Sequence, residues 1–108
     1  MSTQVFQVIA DEHRRKILRL LQNRELSSGE IASHFDVTQP AISQHLRVLV
    51  DAQLVTVRRQ GTRRLYRVRP EGLAQVREFL EGFWQDSLQE LKHAAENEER
   101  GTEVYGPN

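Results

Sequence analysis

Thr38-Gln39-Pro40-Ala41-Ile42-Ser43-Gln44-His45-Leu46-Arg47-Val48-Leu49 is the stretch on which the fold turns. Thr38 places a side-chain oxygen ahead of a helix, and Pro40 falls in its first turn, where a missing N–H is tolerated. Ile42, Leu46 and Leu49 recur at helical spacing and make one apolar stripe. A helical projection then turns Ser43, Gln44 and Arg47 outward, with Gln39 in the first turn. Glutamine and arginine suit bidentate contacts with the edges of adenine and guanine, and Ser43 suits a base or a phosphate. His45 flanks the apolar stripe and reads as packed or phosphate-facing.

Upstream, Ser27 followed by Glu30 is a capping box. It opens a short helix with Ile31 and Phe35 inward, and Asp36-Val37 breaks the chain before Thr38. Asp11 caps an earlier helix running to about Asn23, with Ile17, Leu20 and Leu21 on one face and Arg15, Lys16 and Arg19 on the other. Val5 to Ala10 is apolar and forms a short first helix.

Downstream the period changes. Leu54-Val55-Thr56-Val57-Arg58-Arg59 and Arg63-Arg64-Leu65-Tyr66-Arg67-Val68-Arg69 favour β-branched and aromatic residues around Gln60-Gly61-Thr62, and read as a two-stranded hairpin. Pro70 and Glu71 start a long last helix to about Asn97. Its stripe is Leu73, Val76, Leu80, Trp84, Leu88, Leu91 and Ala95, widened by Phe79 and Phe83. Two short helices joined by a tight turn and followed by a basic hairpin spell a winged helix-turn-helix. The expected class is α+β and mostly α: four helices, a two-stranded β wing and a long C-terminal dimerisation helix. Residues 1–97 are expected to form the DNA-binding and dimerisation domain, and residues 98–108 a disordered acidic tail.

Charge supports this division. Residues 1–69 hold 12 Lys/Arg against 6 Asp/Glu, a balance of +6, and residues 70–108 hold 3 against 9, a balance of −6. A basic body facing a polyanion and an acidic helix facing elsewhere fit that split better than the net charge of zero suggests. Arg58, Arg59, Arg63 and Arg64 crowd like charges onto one ribbon, which costs stability unless a phosphate backbone reverses the sign. With Gln60 and Thr62 they are the expected wing contacts to DNA, beside a recognition-helix set of Thr38, Gln39, Ser43, Gln44, His45 and Arg47. Arg14 and Arg15 are candidates for backbone contacts. The last-helix stripe exceeds what so small a body needs. Leu73, Val76, Leu80, Trp84, Leu88 and Leu91 are therefore the expected interface of a two-fold homodimer, which would read a pseudo-palindrome in duplicate.

Other classes fare worse. No apolar run reaches the ~20 residues that span a membrane, and the N-terminus lacks the pattern of a secretory signal, so a cytoplasmic location is expected. There is no cysteine, and hence no disulfide or thiolate ligand. Ser43 and His45 lie two apart on a helix and do not face each other. No glycine-rich phosphate loop is present. An enzyme is not expected, no cofactor is called for, and no metal ligand is assigned.

The stretch Thr38 to Leu49 closely resembles the recognition-helix signature of the ArsR family of bacterial repressors. Asp11-Glu12-His13-Arg14-Arg15-Lys16-Ile17-Leu18 looks like that family's second helix, and Gly61-Thr62-Arg63-Arg64-Leu65-Tyr66 is similar to its wing. The likeness covers roughly residues 5–95 in matching order. It implies a dimeric transcriptional repressor that blocks a promoter, often its own, and releases DNA on binding an effector, here unknown. Members that sense arsenic, lead or cadmium commonly carry Cys-x-Cys before the recognition helix, where this chain reads Glu30-Ile31-Ala32-Ser33-His34-Phe35. It therefore looks like the cysteine-free, metal-insensitive type. Two alternatives stay open: a metal-responsive derepressor using Asp86, His93 and Glu96 across a dimer, and a winged module that binds protein through its acidic helix.

Overall fold

The computed structural model describes residues 3–99. The order is α1 (Thr3–Val8), α2 (Glu12–Leu20), β1 (Leu26–Ser27), α3 (Ser28–Ala32), α4 (Gln39–Asp51), β2 (Val55–Gln60), β3 (Arg63–Val68), a 3-10 turn (Pro70–Leu73) and α5 (Ala74–Glu99). The chain divides into two compact units, residues 1–76 and residues 77–108. Glu98 and Glu99, expected in the tail, continue α5. The remainder of the expected tail lies outside the described residues. Among those residues no helix is long and apolar enough to cross a membrane.

In the first unit the caps seat the helices where the sequence signals them. The Asp11 carboxylate accepts from the His13 and Arg14 amides at 2.8 and 3.1 Å. The Ser27 hydroxyl accepts from the Glu30 amide, and Glu30 Oε1 accepts from the Ser27 amide at 2.8 Å, closing the capping box. Thr38 Oγ1 accepts from the Ala41 amide. Each cap satisfies donors that a helix start leaves without internal partners. α2 stops at Leu20, three residues before the expected end, and Asn23 takes φ 71° just beyond it.

Ile17, Leu21, Ile31, Ile42, Leu46, Leu49, Leu54 and Val55 are buried in one cluster with Val8. Burying each such side chain contributes about 1.5–3 kcal/mol. The core thus joins the helices of the body to the first residue of the hairpin.

The sheet has one strand more than the sequence reading gave. Its order is β1-β3-β2, all antiparallel, with Leu26 opposite Tyr66 and Ser27 opposite Leu65. β1 has two residues, too few for any period, and Ser27 is at once its last residue and the cap of α3. The hairpin strands run 55–60 and 63–68, so Gly61 and Thr62 alone make the turn. Gly61, at φ 64°, supplies the positive φ that a glycine-first two-residue turn requires.

A second tight junction follows α4. The Gln53 amide bonds the Val50 carbonyl at 2.9 Å and the Leu54 amide the Leu49 carbonyl at 3.0 Å. This pair is the Schellman closure, with Leu49 and Leu54 both fully buried in the core beside it. The usual glycine is replaced by Gln53 at φ 64°. Glycine is needed instead at Gly72, where a Cβ would collide with the Gln53 carbonyl oxygen and lie 3.0 Å from its carbon. Because that neighbour is backbone, Gly72→Ala should destabilise the fold by about 1–3 kcal/mol. The measure is a lower urea midpoint at unchanged m-value; an unshifted midpoint would show that the 3-10 turn moves aside freely.

Candidate nucleic-acid interface

α4 is held by its buried stripe. Ile42, Leu46 and Leu49 are 0%, 1% and 0% exposed, so the helix cannot rotate without bringing them into water. The opposite face carries Thr38, Gln39, Ser43, Gln44 and Arg47, all exposed. Five of the six side chains expected on the recognition face thus share one solvent-facing surface. His45 does not. It is half-buried and stacks on His13 with ring centroids 5.4 Å apart, and His13 in turn lies 5.8 Å from the Phe35 ring. The ring is thus packed on one side. Burial lowers the His45 imidazole below its usual range, since Arg14 and His13 add to that effect and Asp11 only partly opposes it.

The hairpin sorts its arginines by strand alternation. Arg59 stands opposite Arg64, and Arg58 opposite Leu65, so Arg59 and Arg64 share one face of the ribbon while Arg58 and Arg63 lie on the other. On that other face the acids of the body reach them. Arg58 donates from Nε and Nη2 to the two oxygens of Glu25 at 2.8 and 2.9 Å, a bidentate pair. Arg63 Nη2 donates to Glu30 Oε1 at 3.2 Å. The like-charge crowding that made a folding explanation of the four arginines weak is thus relieved for two of them, by Glu25 and Glu30, which are remote in sequence. Arg59 and Arg64 have no such ion-pair partner among the described residues and face each other across the ladder, an arrangement that repels until an anion covers it. Gln60 and Thr62 are exposed at the tip.

Arg14 and Arg15 are likewise drawn into the body. Arg15 Nη1 donates to the Ile9 and Ala10 carbonyls at 2.9 and 2.8 Å, closing the end of α1. Arg14 points a guanidinium nitrogen at Asp11 Oδ2, 3.9 Å away. Lys16 donates to the His34 carbonyl and covers the Phe35 ring at 4.6 Å. The Arg14–Asp11 spacing of three residues is one a helix brings together, whereas Lys16 and His34 are 18 residues apart and no local pattern relates them.

The second unit presents the long stripe. Phe79, Leu80, Phe83, Trp84, Leu88 and Leu91 are between 45% and 64% exposed along α5, and Phe79 and Phe83 stack at 6.2 Å. Of the expected stripe residues nearer the body, Leu73 packs against the core and Val76 is half-buried. His93 Nδ1 and Glu96 Oε1 are 4.0 Å apart, but the only group of three or more metal-ligating side chains among the described residues lies elsewhere, at Asp11, His13 and His45.

A short helix, a turn, a second helix with a donor-rich outer face, and a basic β-ribbon define a winged helix-turn-helix DNA-binding protein. The chain belongs to the arsR family of bacterial regulatory proteins, whose sequence signature matches residues 11–57. It is therefore a transcriptional regulator and not an enzyme. It is 46% identical over 83 residues to the HTH-type transcriptional regulator Rv2034 of Mycobacterium tuberculosis (strain ATCC 25618 / H37Rv), covering 77% of this chain and 78% of that one. Among solved structures it is similar to a possible transcriptional regulator for arsenical resistance, with TM-score 0.72 and 43% identity over 83% of this chain and 94% of that one. It is also similar to the homodimeric winged helix-turn-helix DNA-binding domain of Mb0332 from Mycobacterium bovis, a possible ArsR-family regulator. There the TM-score is 0.63 and the identity 28%, covering 78% of each chain.

The wing's acid pairs respond to pH in a definite direction. The Arg58 hydrogen bond holds Glu25 below the ordinary 4.5, and the Ser27 amide does the same for Glu30. A carboxyl lowered by folding stabilises above its ordinary value and loses that contribution as pH falls through its lowered one. The midpoint of the Arg58 Nε–H shift should therefore fall below 4.5. A midpoint at or above that value would mean the pair is not formed in solution.

Proposed function

We propose that this chain is a cytoplasmic homodimeric repressor. Each subunit would lay the outer face of α4 in the major groove and the Arg59–Arg64 face of the wing on the phosphate backbone of a pseudo-palindromic operator. The observation that carries the reading is the division of α4 between a stripe sealed in the core and a face bearing Gln39, Ser43, Gln44 and Arg47. A solubility role asks only for charge. An outer face bearing amides, a hydroxyl and one guanidinium is suited to base edges. Release from DNA on binding an effector is part of the same reading.

The roles divide between base and phosphate. Gln44→Ala should cost about 1–3 kcal/mol at one base position and relax preference there, whereas Arg64→Ala should weaken all duplexes alike and flatten the salt slope by about one unit. Arg58→Ala, whose side chain is already held by Glu25, should alter the salt slope less. These are read from affinities for duplexes selected from a random pool, measured at several salt concentrations. Equal slope changes for Arg58→Ala and Arg64→Ala would refute the sorting of the wing by face.

Dimerisation is supported by the exposed α5 stripe, which is large for a monomer surface, and by the homodimeric state of the Mycobacterium bovis domain. Pairing two copies of the helix would bury Leu80, Trp84, Leu88 and Leu91 about a two-fold axis. It would also set half-sites about one helical turn apart. Trp84 is the only tryptophan, so its emission should shift to longer wavelength as the protein is diluted into monomers. Trp84→Glu should sediment as a monomer at concentrations where the parent is a dimer. A dilution-independent emission spectrum together with a dimeric Trp84→Glu would place the interface elsewhere.

A further inference from the structure

We propose that Asp11, His13 and His45 form a binding site for a zinc-class divalent ion that ties the first turn of α2 to the recognition helix. One ligand atom from each of the three lies within 4.8 Å of the others, and His13 Nδ1 is 3.7 Å from Asp11 Oδ1. Tetrahedral zinc, with bonds of about 2.0–2.2 Å, sets its ligand atoms roughly 3.4 Å apart. Small side-chain rotations close that gap. Two imidazoles and one carboxylate are ligands that zinc accepts, and three protein ligands leave a fourth position for water.

The three come from places the fold holds still. Asp11 Oδ1 already accepts two backbone amides as the α2 cap, which fixes the carboxyl group, and Oδ2 lies 3.9 Å from Arg14 Nη2. The His45 backbone is anchored by its neighbour Leu46, which is 1% exposed. The His13 ring is flanked by Phe35 and His45. The site remains reachable, since the His13 and Asp11 side chains are 38% and 31% exposed. It lies wholly within the first unit, and needs neither DNA nor a second copy. The His93–Glu96 pair on α5 is the natural control.

The test uses the full chain, stripped of metal by a chelator and titrated with zinc chloride and, separately, cobalt(II) chloride. Zinc should raise the thermal midpoint in proportion to the logarithm of its concentration once the site is filled. Cobalt should give the visible absorption of a tetrahedral centre. His13→Gln should abolish both. Its zinc affinity should fall by more than the roughly 10–100-fold that losing a group merely supporting a ligand costs. His93→Gln should leave both intact. In the unsubstituted protein the imidazole resonances of His13 and His45 should move together with zinc while that of His93 stays, which decides the matter even if His13→Gln folds poorly. No midpoint rise and no cobalt band, or loss of both in His93→Gln with retention in His13→Gln, overturns the proposal.

Discussion

What α4 presents at the surface follows from three side chains it hides. Ile42, Leu46 and Leu49 leave α4 no freedom to rotate, because each residue step turns a helix by about 100° and a small roll would expose an aliphatic group. The constraint is hydrophobic and non-directional, yet its result is directional. Once the stripe is buried against Ile17, Leu21 and Ile31, the azimuth of Gln44 and Arg47 is settled without any contact of their own. A face that must meet a ligand can therefore be built from side chains that contribute little to folding.

A parallel economy operates in the wing, through a period of two. Alternation along β2 and β3 divides four arginines into two pairs with different surroundings. Glu25, just before β1, and Glu30, within α3, neutralise one pair. Glu30 serves twice, since the same carboxylate oxygen that completes the α3 cap also receives Arg63. The net positive face of the ribbon is thus narrower than the sequence suggests, and its direction is tied to the body by ion pairs.

Much of this was legible beforehand, for identifiable reasons. Asp11, Ser27 and Thr38 cap helices through bonds spanning two or three residues, so local spacing suffices to see them. The stripe of α4 and the long stripe of α5 show in the 3.6-residue period. What stayed hidden depends on partners far apart in the chain. Arg58 and Glu25 are separated by 33 residues, and the stacking of His13 on His45 brings together two helices that no periodic pattern relates. β1 escaped because two residues cannot display alternation. The end of α4 was marked by no glycine, since Gln53 takes the left-handed position itself.

Ser27 has a bearing on how such a scaffold can vary. Because one residue both ends the strand beside β3 and caps α3, there is no linker between sheet and helix-turn-helix. A single inserted residue at that point would throw strand register and helix phase out together. At the tip, by contrast, a Cβ on Gly61 would meet nothing within 4 Å, so residues added there disturb neither the root register nor the helix phase. Length polymorphism in this architecture should accordingly collect at the end of the ribbon, leaving its root invariant in spacing.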